Sequence, residues 1–369
     1  MAVKKYGKAY SALLMLLRSG LWERREPFEE LFPLTEEEWS ELFALATMQT
    51  VVGITYRGLD YLPHPFFPPE ELLFRWVAEV GRIEERNYES NRTLVELLQI
   101  YRSHGLNPIL QKGQGVATMY EQPLLRTCGD IDLCFLGEGE ADKAAEIARS
   151  LGKSCRTAPD GSLVYRWESI EVEHHRELID LQSPFTKGYI AGVVDGMEAE
   201  PVTLPEIPSE AVRVPSAEVN MLLLNAHIMK HAIGLGIGLR QICDMARAYY
   251  RLSGKVDGEK IRTLYNKAGL ERWSSLLHAF LCQKMGLEEQ YLPYKERGGV
   301  DAEPLAEIVF RGGNFGKHAK DHLPPTASII HRKWHTFKAF CRNSRFSLGY
   351  VPGEAVCTIW QLLWGQLRA

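Results

Sequence analysis

The segment Arg126-Thr-Cys-Gly-Asp130-Ile-Asp132-Leu-Cys-Phe holds two carboxylates two residues apart, with apolar side chains between and after them. On a strand, residues i and i+2 share a face, so Asp130 and Asp132 point to one side while Ile131 and Leu133 point to the core. Carboxylates held this close repel unless a divalent cation neutralises them. Mg²⁺ suits such a pair, because it takes one or two protein carboxylates together with phosphate oxygens and water. Phosphoryl-type transfer needs mainly positioning and charge neutralisation, often from two ions about 4 Å apart. The competing reading is the solvent face of an edge strand, and a bare Asp-x-Asp does not choose between them.

Two flanking segments add weight. Upstream, Leu110-Gln-Lys112-Gly113-Gln114-Gly115 sits where a strand passes into a helix. Glycine allows close backbone approach, a helix N-terminus favours phosphate, and Lys112 adds a point charge. Downstream, Ile170-Glu171-Val172-Glu173-His174-His175 alternates and presents a second acidic face. A third carboxylate on an adjacent strand can share a cation or accept a proton from an attacking hydroxyl. Either glutamate can fill that role, and the other is then a polar strand position.

The elements that must hold these residues divide the chain into three textures. Residues 1–104 read as a helical region, with apolar residues at 3- and 4-residue spacing over Tyr10–Leu17, Thr35–Met48 and Pro69–Arg102. Residues 105–215 read as an α/β core. Strands are expected at Pro108–Leu110, Ile131–Phe135, Leu163–Trp167 and Ile170–Glu173, with helices at Gly115–Glu121 and Glu140–Leu151. Five prolines and weak periodicity make 183–215 a long, partly irregular connection. Residues 216–369 return to helix, at Ser216–Ala232, Arg240–Arg251, Gly258–Lys267, Arg272–Met285 and Glu354–Gln366. The expected fold class is α+β, a mixed-sheet core flanked by N- and C-terminal helical regions.

Together, Lys112-Gly113, Leu125-Arg126, Gly129-Asp130-Ile-Asp132-Leu and Glu171-Val-Glu173-His-His175 resemble the uncharacterised nucleotidyltransferase family of the DNA polymerase β-like superfamily. That superfamily's pattern is a glycine-containing turn opening a helix, an acid-x-acid strand, and a third acid on a later strand. The 16 residues from Gly113 to Gly129 suit it. Asn225-Ala-His227-Ile-Met-Lys230-His231, Leu239-Arg240-Gln-Ile-Cys-Asp244 and Gly313-Asn-Phe-Gly316 extend the likeness into the helical portion. The resemblance implies transfer of a nucleoside monophosphate from an NTP, with ATP the expected donor, to a hydroxyl acceptor it does not name. It implies Mg²⁺ (or Mn²⁺) held by Asp130, Asp132 and Glu173, with Glu171 the alternative third acid, and nucleotide contacts from Lys112, Gly113, Gln114, Arg126, His175, His231 and Arg240. The superfamily usually has Gly-Gly or Gly-Ser at the turn, whereas Gln114 follows Gly113 here. Two rivals stay open beside the active enzyme: an inactive descendant that binds a nucleotide or a partner, and an adenylyl transferase acting on protein or peptide.

Other features read more plainly. Arg126 either contacts a triphosphate or pairs with the aspartates. His227 and His231 lie one helical turn apart, a zinc-ligand spacing, but no His-Glu-x-x-His arrangement is present. They read as a polar helix face toward the cleft or as core histidines. Arg240 and Asp244 are an i, i+4 pair. The basic, aromatic-rich run from His331 to Arg345 reads as the solvated face of a helix rather than a nucleic-acid track. A net charge of −4 gives no general attraction to nucleic acid or anionic lipid. A hydrophobic content of 45% with 24% charged residues excludes a disordered chain. Seven scattered cysteines without a Cys-x-x-Cys pair read as reduced thiols. The apolar stretch near Leu13–Leu17 reads as an amphipathic helix rather than a signal peptide, and no run approaches the roughly 20 residues that span a bilayer. The expectation is a cytoplasmic protein.

Overall fold

The structure, a computed structural model, describes residues 7–158, 161–204, 207–234, 236–296, 298–312 and 343–367. The chain divides into two compact units. One comprises Met1–Ala46, Val51–Leu178 and Met197–Leu223; the other comprises Thr47–Thr50, Ile179–Gly196 and Leu224–Ala369. The helical region expected over 1–104 therefore falls largely in the same unit as the α/β segment.

Helices α1 (Lys8–Trp22), α2 (Glu36–Met48), α3 (Val52–Arg57) and α4 (Glu70–Ser103) open the chain. Thr35 starts α2 through a reciprocal capping box. Its hydroxyl accepts from the Glu38 amide at 3.2 Å, and the Glu38 carboxylate accepts from the Thr35 amide at 2.9 Å. Trp39 and Trp76 are buried with their ring centroids 6.3 Å apart, and the Trp76 indole donates to the Val52 carbonyl at 3.2 Å. Burying two such rings removes the largest apolar surfaces of this region from water.

Next come β1 (Ile109–Leu110), a single helical turn α5 (Gln114–Ala117), β2 (Ile131–Cys134), α6 (Glu140–Ser150), β3 (Arg156–Thr157), β4 (Leu163–Trp167) and β5 (Ile170–His175). The five strands form one mixed sheet in the order β1-β2-β5-β4-β3. β2 and β5 run parallel, and the other neighbours are antiparallel. α6 supplies the kind of crossover that a parallel pair requires between its strands. Ile131, Leu133, Ile170 and Val172 are fully buried and pack in one core with Leu94, Leu97 and Leu98 of α4 and with Ala144 and Ala148 of α6. The alternation seen in the sequence is the alternation of this sheet: its apolar positions face α4 and α6, and Asp132, Glu173 and His175 take the other phase.

The expectation of a long, partly irregular connection over 183–215 is corrected for most of its length. Pro184–Asp195 forms helix α7, followed by a hairpin of β6 (Glu200–Leu204) and β7 (Ile207–Val214). Pro184 occupies the first turn, where proline loses no hydrogen bond. Pro201 lies in a two-stranded sheet, whose strands are both edges and so tolerate a missing amide. Pro184 and Pro201 mark an element boundary and an edge, which a count of prolines cannot reveal.

Helices α8 (Ala217–Ile233), α9 (Leu239–Leu252), α10 (Gly258–Lys267), α11 (Glu271–Gln283), α12 (Glu303–Gly312) and α13 (Pro352–Leu367) follow, and residues 343–350 are helical as well. In the second unit Asp257 caps α10, accepting from the amides of Glu259 and Lys260 at 2.9 and 3.3 Å. Glu354 accepts from the amides of Gln182 and Ser183, both at 2.8 Å, where α7 begins. No helix among the described residues is long and apolar enough to cross a membrane. Gly313–Gly316 and most of the basic run from His331 lie outside the described residues.

Candidate active site

β2 and β5 set the geometry. In their parallel register Asp132 lies opposite Glu173, and Cys134 opposite His175. Glu171, Glu173 and His175 occupy alternate, partly exposed positions of β5, while Ile170, Val172 and His174 are buried between them. Asp130 immediately precedes β2 and joins the same acidic face. Side-chain donor atoms of Asp130, Glu171 and Glu173 all lie within 4.8 Å of one another, as do those of Asp132, Glu173 and His175. Glu173 is common to both sets. Arg156 Nη2 lies 3.2 Å from Glu171 Oε2, and both side chains are largely exposed.

Two nitrogen groups meet Asp132. Lys112 Nζ is 3.3 Å from its Oδ1, and His175 Nε2 donates to the same oxygen at 2.9 Å. His175 Nε2 is also 3.6 Å from Glu173 Oε2. Burial opposes ionisation of Asp132, but Lys112 and the His175 hydrogen bond outweigh it and hold the carboxyl well below the usual range. Burial likewise opposes the Lys112 ammonium, yet Asp132 and Asp130 raise its pKa above the ordinary lysine value. Glu173 has the opposite fate: burial, then Asp132 and Asp130, push it up to about 7.

The turn that brings Lys112 to Asp132 depends on Gly113, whose φ of 56° and ψ of −120° suit glycine and few other residues. The Gln111 amide donates to the Asp132 carbonyl at 3.0 Å and ties the turn to β2. Gln114 does not join the acidic cluster. It is buried at the start of α5 and lines a small pocket with Asn87, Asn91 and Thr118. Arg126 is also buried, and its carbonyl accepts from Asn87. His231 and Arg240 stand on α8 and α9 in the second unit, where the rings of His227 and His231 meet at a centroid distance of 4.5 Å.

The segment before Asp130 is held by residues that belong to none of the sequence motifs. Asn87 Nδ2 donates to the carbonyls of Leu124 and Arg126 at 2.6 and 2.9 Å, and Ser90 Oγ lies 3.4 Å from Cys128 Sγ. Gly53 lets this segment come close, since a Cβ there would sit 2.3 Å from the Leu125 carbonyl oxygen. The sequence does carry a signal for Asn87 and Ser90. Buried positions along α4 fall at Val80, Ile83, Asn87, Ser90, Leu94, Leu97 and Tyr101, so a stripe of 3- and 4-residue spacing turns polar for two steps. Behind β5, Tyr101 Oη lies 2.8 Å from Tyr165 Oη and 3.0 Å from His174 Nε2. Burial, with His175 adding to it, pulls His174 down to about 3, so this ring is neutral.

A family model described as an uncharacterised nucleotidyltransferase matches residues 35–285, more than half of the chain. The chain belongs to that family. Its match begins in the helical region and runs through the acidic face to just past α11, so the family is defined by more than the Asp-x-Asp strand. No curated protein and no solved structure matches the chain. Nucleotidyltransferases as a class work with divalent metals, and the two donor sets on this face are of a kind that can hold one.

Proposed function

We propose that this family member is a nucleotidyltransferase with a polymerase β-like catalytic core. In this reading Asp130, Asp132 and Glu173 hold Mg²⁺ (or Mn²⁺), and an NTP, ATP by expectation, donates a nucleoside monophosphate to a hydroxyl acceptor. The observation that carries the reading is the register: parallel pairing sets Glu173 directly beside Asp132, with Asp130 in the same cluster. Hard carboxylate oxygens are the donors that such ions prefer. When bound, the ions neutralise the triphosphate and favour the ionised form of the acceptor hydroxyl.

The chain's own residues supply the rest. Lys112, half-buried and ionised beside Asp132, is placed to trade part of its ion pair for a phosphate oxygen. The Gly113 turn opens α5 and leaves backbone close to an incoming phosphate. Asn87 and Gly53 hold the 124–126 backbone and so fix where Asp130 begins. The acceptor hydroxyl gives up its proton to solvent, its oxygen forms a bond to the α-phosphorus, the bond from that phosphorus to the bridging oxygen breaks, and pyrophosphate leaves.

The test is to supply each of the four NTPs with Mg²⁺ or Mn²⁺ against pooled small molecules, RNA and protein, and to measure pyrophosphate. Release of pyrophosphate with nucleotide label on an acceptor is the expected result. Nucleotide binding by calorimetry without release, across all pools, would replace the enzyme with a binding protein.

A further inference from the structure

The two donor sets on the acidic face differ in chemistry. Asp130, Glu171 and Glu173 offer oxygen alone, whereas Asp132, Glu173 and His175 offer two carboxylates and an imidazole nitrogen. We infer that His175 Nε2 is a direct ligand of the cation held by Asp132 and Glu173, and that this position prefers a transition dication of the Mn²⁺, Co²⁺ or Zn²⁺ class over Mg²⁺. The inference rests on the metal-site reading proposed above and assigns to the site a ligand and a selectivity which that reading lacks.

Three observations support it. First, the three side chains come from paired positions of two adjacent strands. Glu173 and His175 share a face of β5, and Asp132 lies opposite Glu173 on β2, so the backbone register itself assembles the set. Second, the spacing fits. Ligand atoms at neighbouring corners of an octahedral ion with bonds of about 2.1 Å stand about 3 Å apart. Here Nε2 is 2.9 Å from Asp132 Oδ1 and 3.6 Å from Glu173 Oε2, and on ligation the proton that Nε2 shares with Asp132 passes to solvent or to Nδ1 and frees the lone pair. Third, the ring is reachable, with 16% of its side chain exposed, unlike His174 next to it, which is 3% exposed and occupied by two tyrosines. An imidazole nitrogen suits Zn²⁺ and the later divalent metals, whose affinities rise from Mn²⁺ to a maximum at Cu²⁺; Mn²⁺ tolerates it, while Mg²⁺ keeps to oxygen.

The decisive measurement is pulsed electron paramagnetic resonance of Mn²⁺ added to the full chain, with calorimetric titration of Mn²⁺ and Mg²⁺ alongside. A directly bonded nitrogen coupling is expected in the wild type and is lost in His175→Ala. That variant should weaken Mn²⁺ binding about 10–100-fold and Mg²⁺ binding less than about 3-fold. Mn²⁺ binding that Asp132→Asn abolishes, but that shows no nitrogen coupling in the wild type, overturns the inference and leaves the carboxylate site standing. No binding of either ion by the wild type overturns the carboxylate site and this inference together. The wild-type spectrum decides the matter even if His175→Ala fails to fold, and His175→Gln, which keeps volume without an imidazole, serves as the second variant.

Discussion

A histidine meets a carboxylate in each of the two units, and the two meetings have opposite character. In the second unit the His278 ring is fully buried. Its Nδ1 faces Glu296 Oε1, its Nε2 meets the Tyr249 hydroxyl at 2.8 Å, and the other Glu296 oxygen accepts from Ser275 at 2.9 Å. Every polar atom of that group has a partner, and one acid serves one histidine. In the first unit His175 meets Asp132, but Asp130, Glu171 and Glu173 crowd the same face and Glu173 is driven up to about 7. The contact alone does not mark a functional site. What makes this face the candidate is several carboxylates converging on a partly open surface, with burial and its neighbours pushing one of them up to about 7.

The largest effects should separate the two places by kind. Asp132→Asn keeps the shape and the hydrogen bond from His175 but removes a charge. It should lower nucleotidyl transfer by at least about 10³-fold and lower the melting temperature by only a few degrees, since Lys112 loses its ionised partner while repulsion on Glu173 is relieved. Rates of pyrophosphate release beside a thermal melt test both halves, and an unchanged rate would remove Asp132 from the chemistry. His278→Ala should do the reverse. It leaves Glu296 and Tyr249 facing a void and should cost about 3 kcal/mol of stability with cation binding intact. Denaturant unfolding of the full chain, read with Mn²⁺ titration, would expose any mixing of the two roles.

Acid offers a gentler probe of the satisfied pair. Burial lowers the His278 pKa below its ordinary 6.5 even though Glu296 pulls it up. Against the opposing effect of burial, His278 and Ser275 hold Glu296 below its ordinary 4.5. In both cases the unfolded chain takes up a proton before the folded one does, so stability is complete above the unfolded value and is lost as pH falls through it. Melting temperature should therefore decline from pH 7 through about 6.5 and further below 4.5, and His278→Gln should flatten the upper part of that slope. A slope between about pH 7 and 5.5 that is unaltered in the variant would show that His278 is not the titrating group.

The contrast also explains what sequence can reveal. Strand alternation sets phase, so Asp130, Asp132 and the Glu171, Glu173, His175 series are legible in the sequence as two acidic faces. Helices α2, α4 and α10 are legible because 3- and 4-residue spacing and capping residues are local. The choice between Glu171 and Glu173 is not legible, since it depends on which residue of β5 pairs with Asp132, a tertiary fact. Nor is the Tyr101, Tyr165 and His174 cluster, whose members come from α4, β4 and β5 and carry no mutual spacing. Helix α7 and the β6–β7 hairpin are hidden because Pro184 and Pro201 look like breakers until their boundary and edge positions are known.

The smallest predicted effect sharpens the comparison most finely, because it lies within the acidic face itself. Glu171 and Glu173 sit two residues apart on the same side of β5, yet Glu173 belongs to both donor sets and pairs in register with Asp132, while Glu171 belongs to one and lies beside Arg156. That ion pair is exposed and contributes at most about 1 kcal/mol to stability. Glu171→Gln should accordingly change the transfer rate by less than about 3-fold and the melting temperature by no more than a few degrees, whereas Glu173→Gln should approach the loss seen for Asp132→Asn. Equal losses from the two glutamine variants would mean that the all-oxygen set is used as fully as the histidine-containing one. A larger loss from Glu171→Gln would reverse the assignment of the third acid and move the working face one pleat along β5, away from His175.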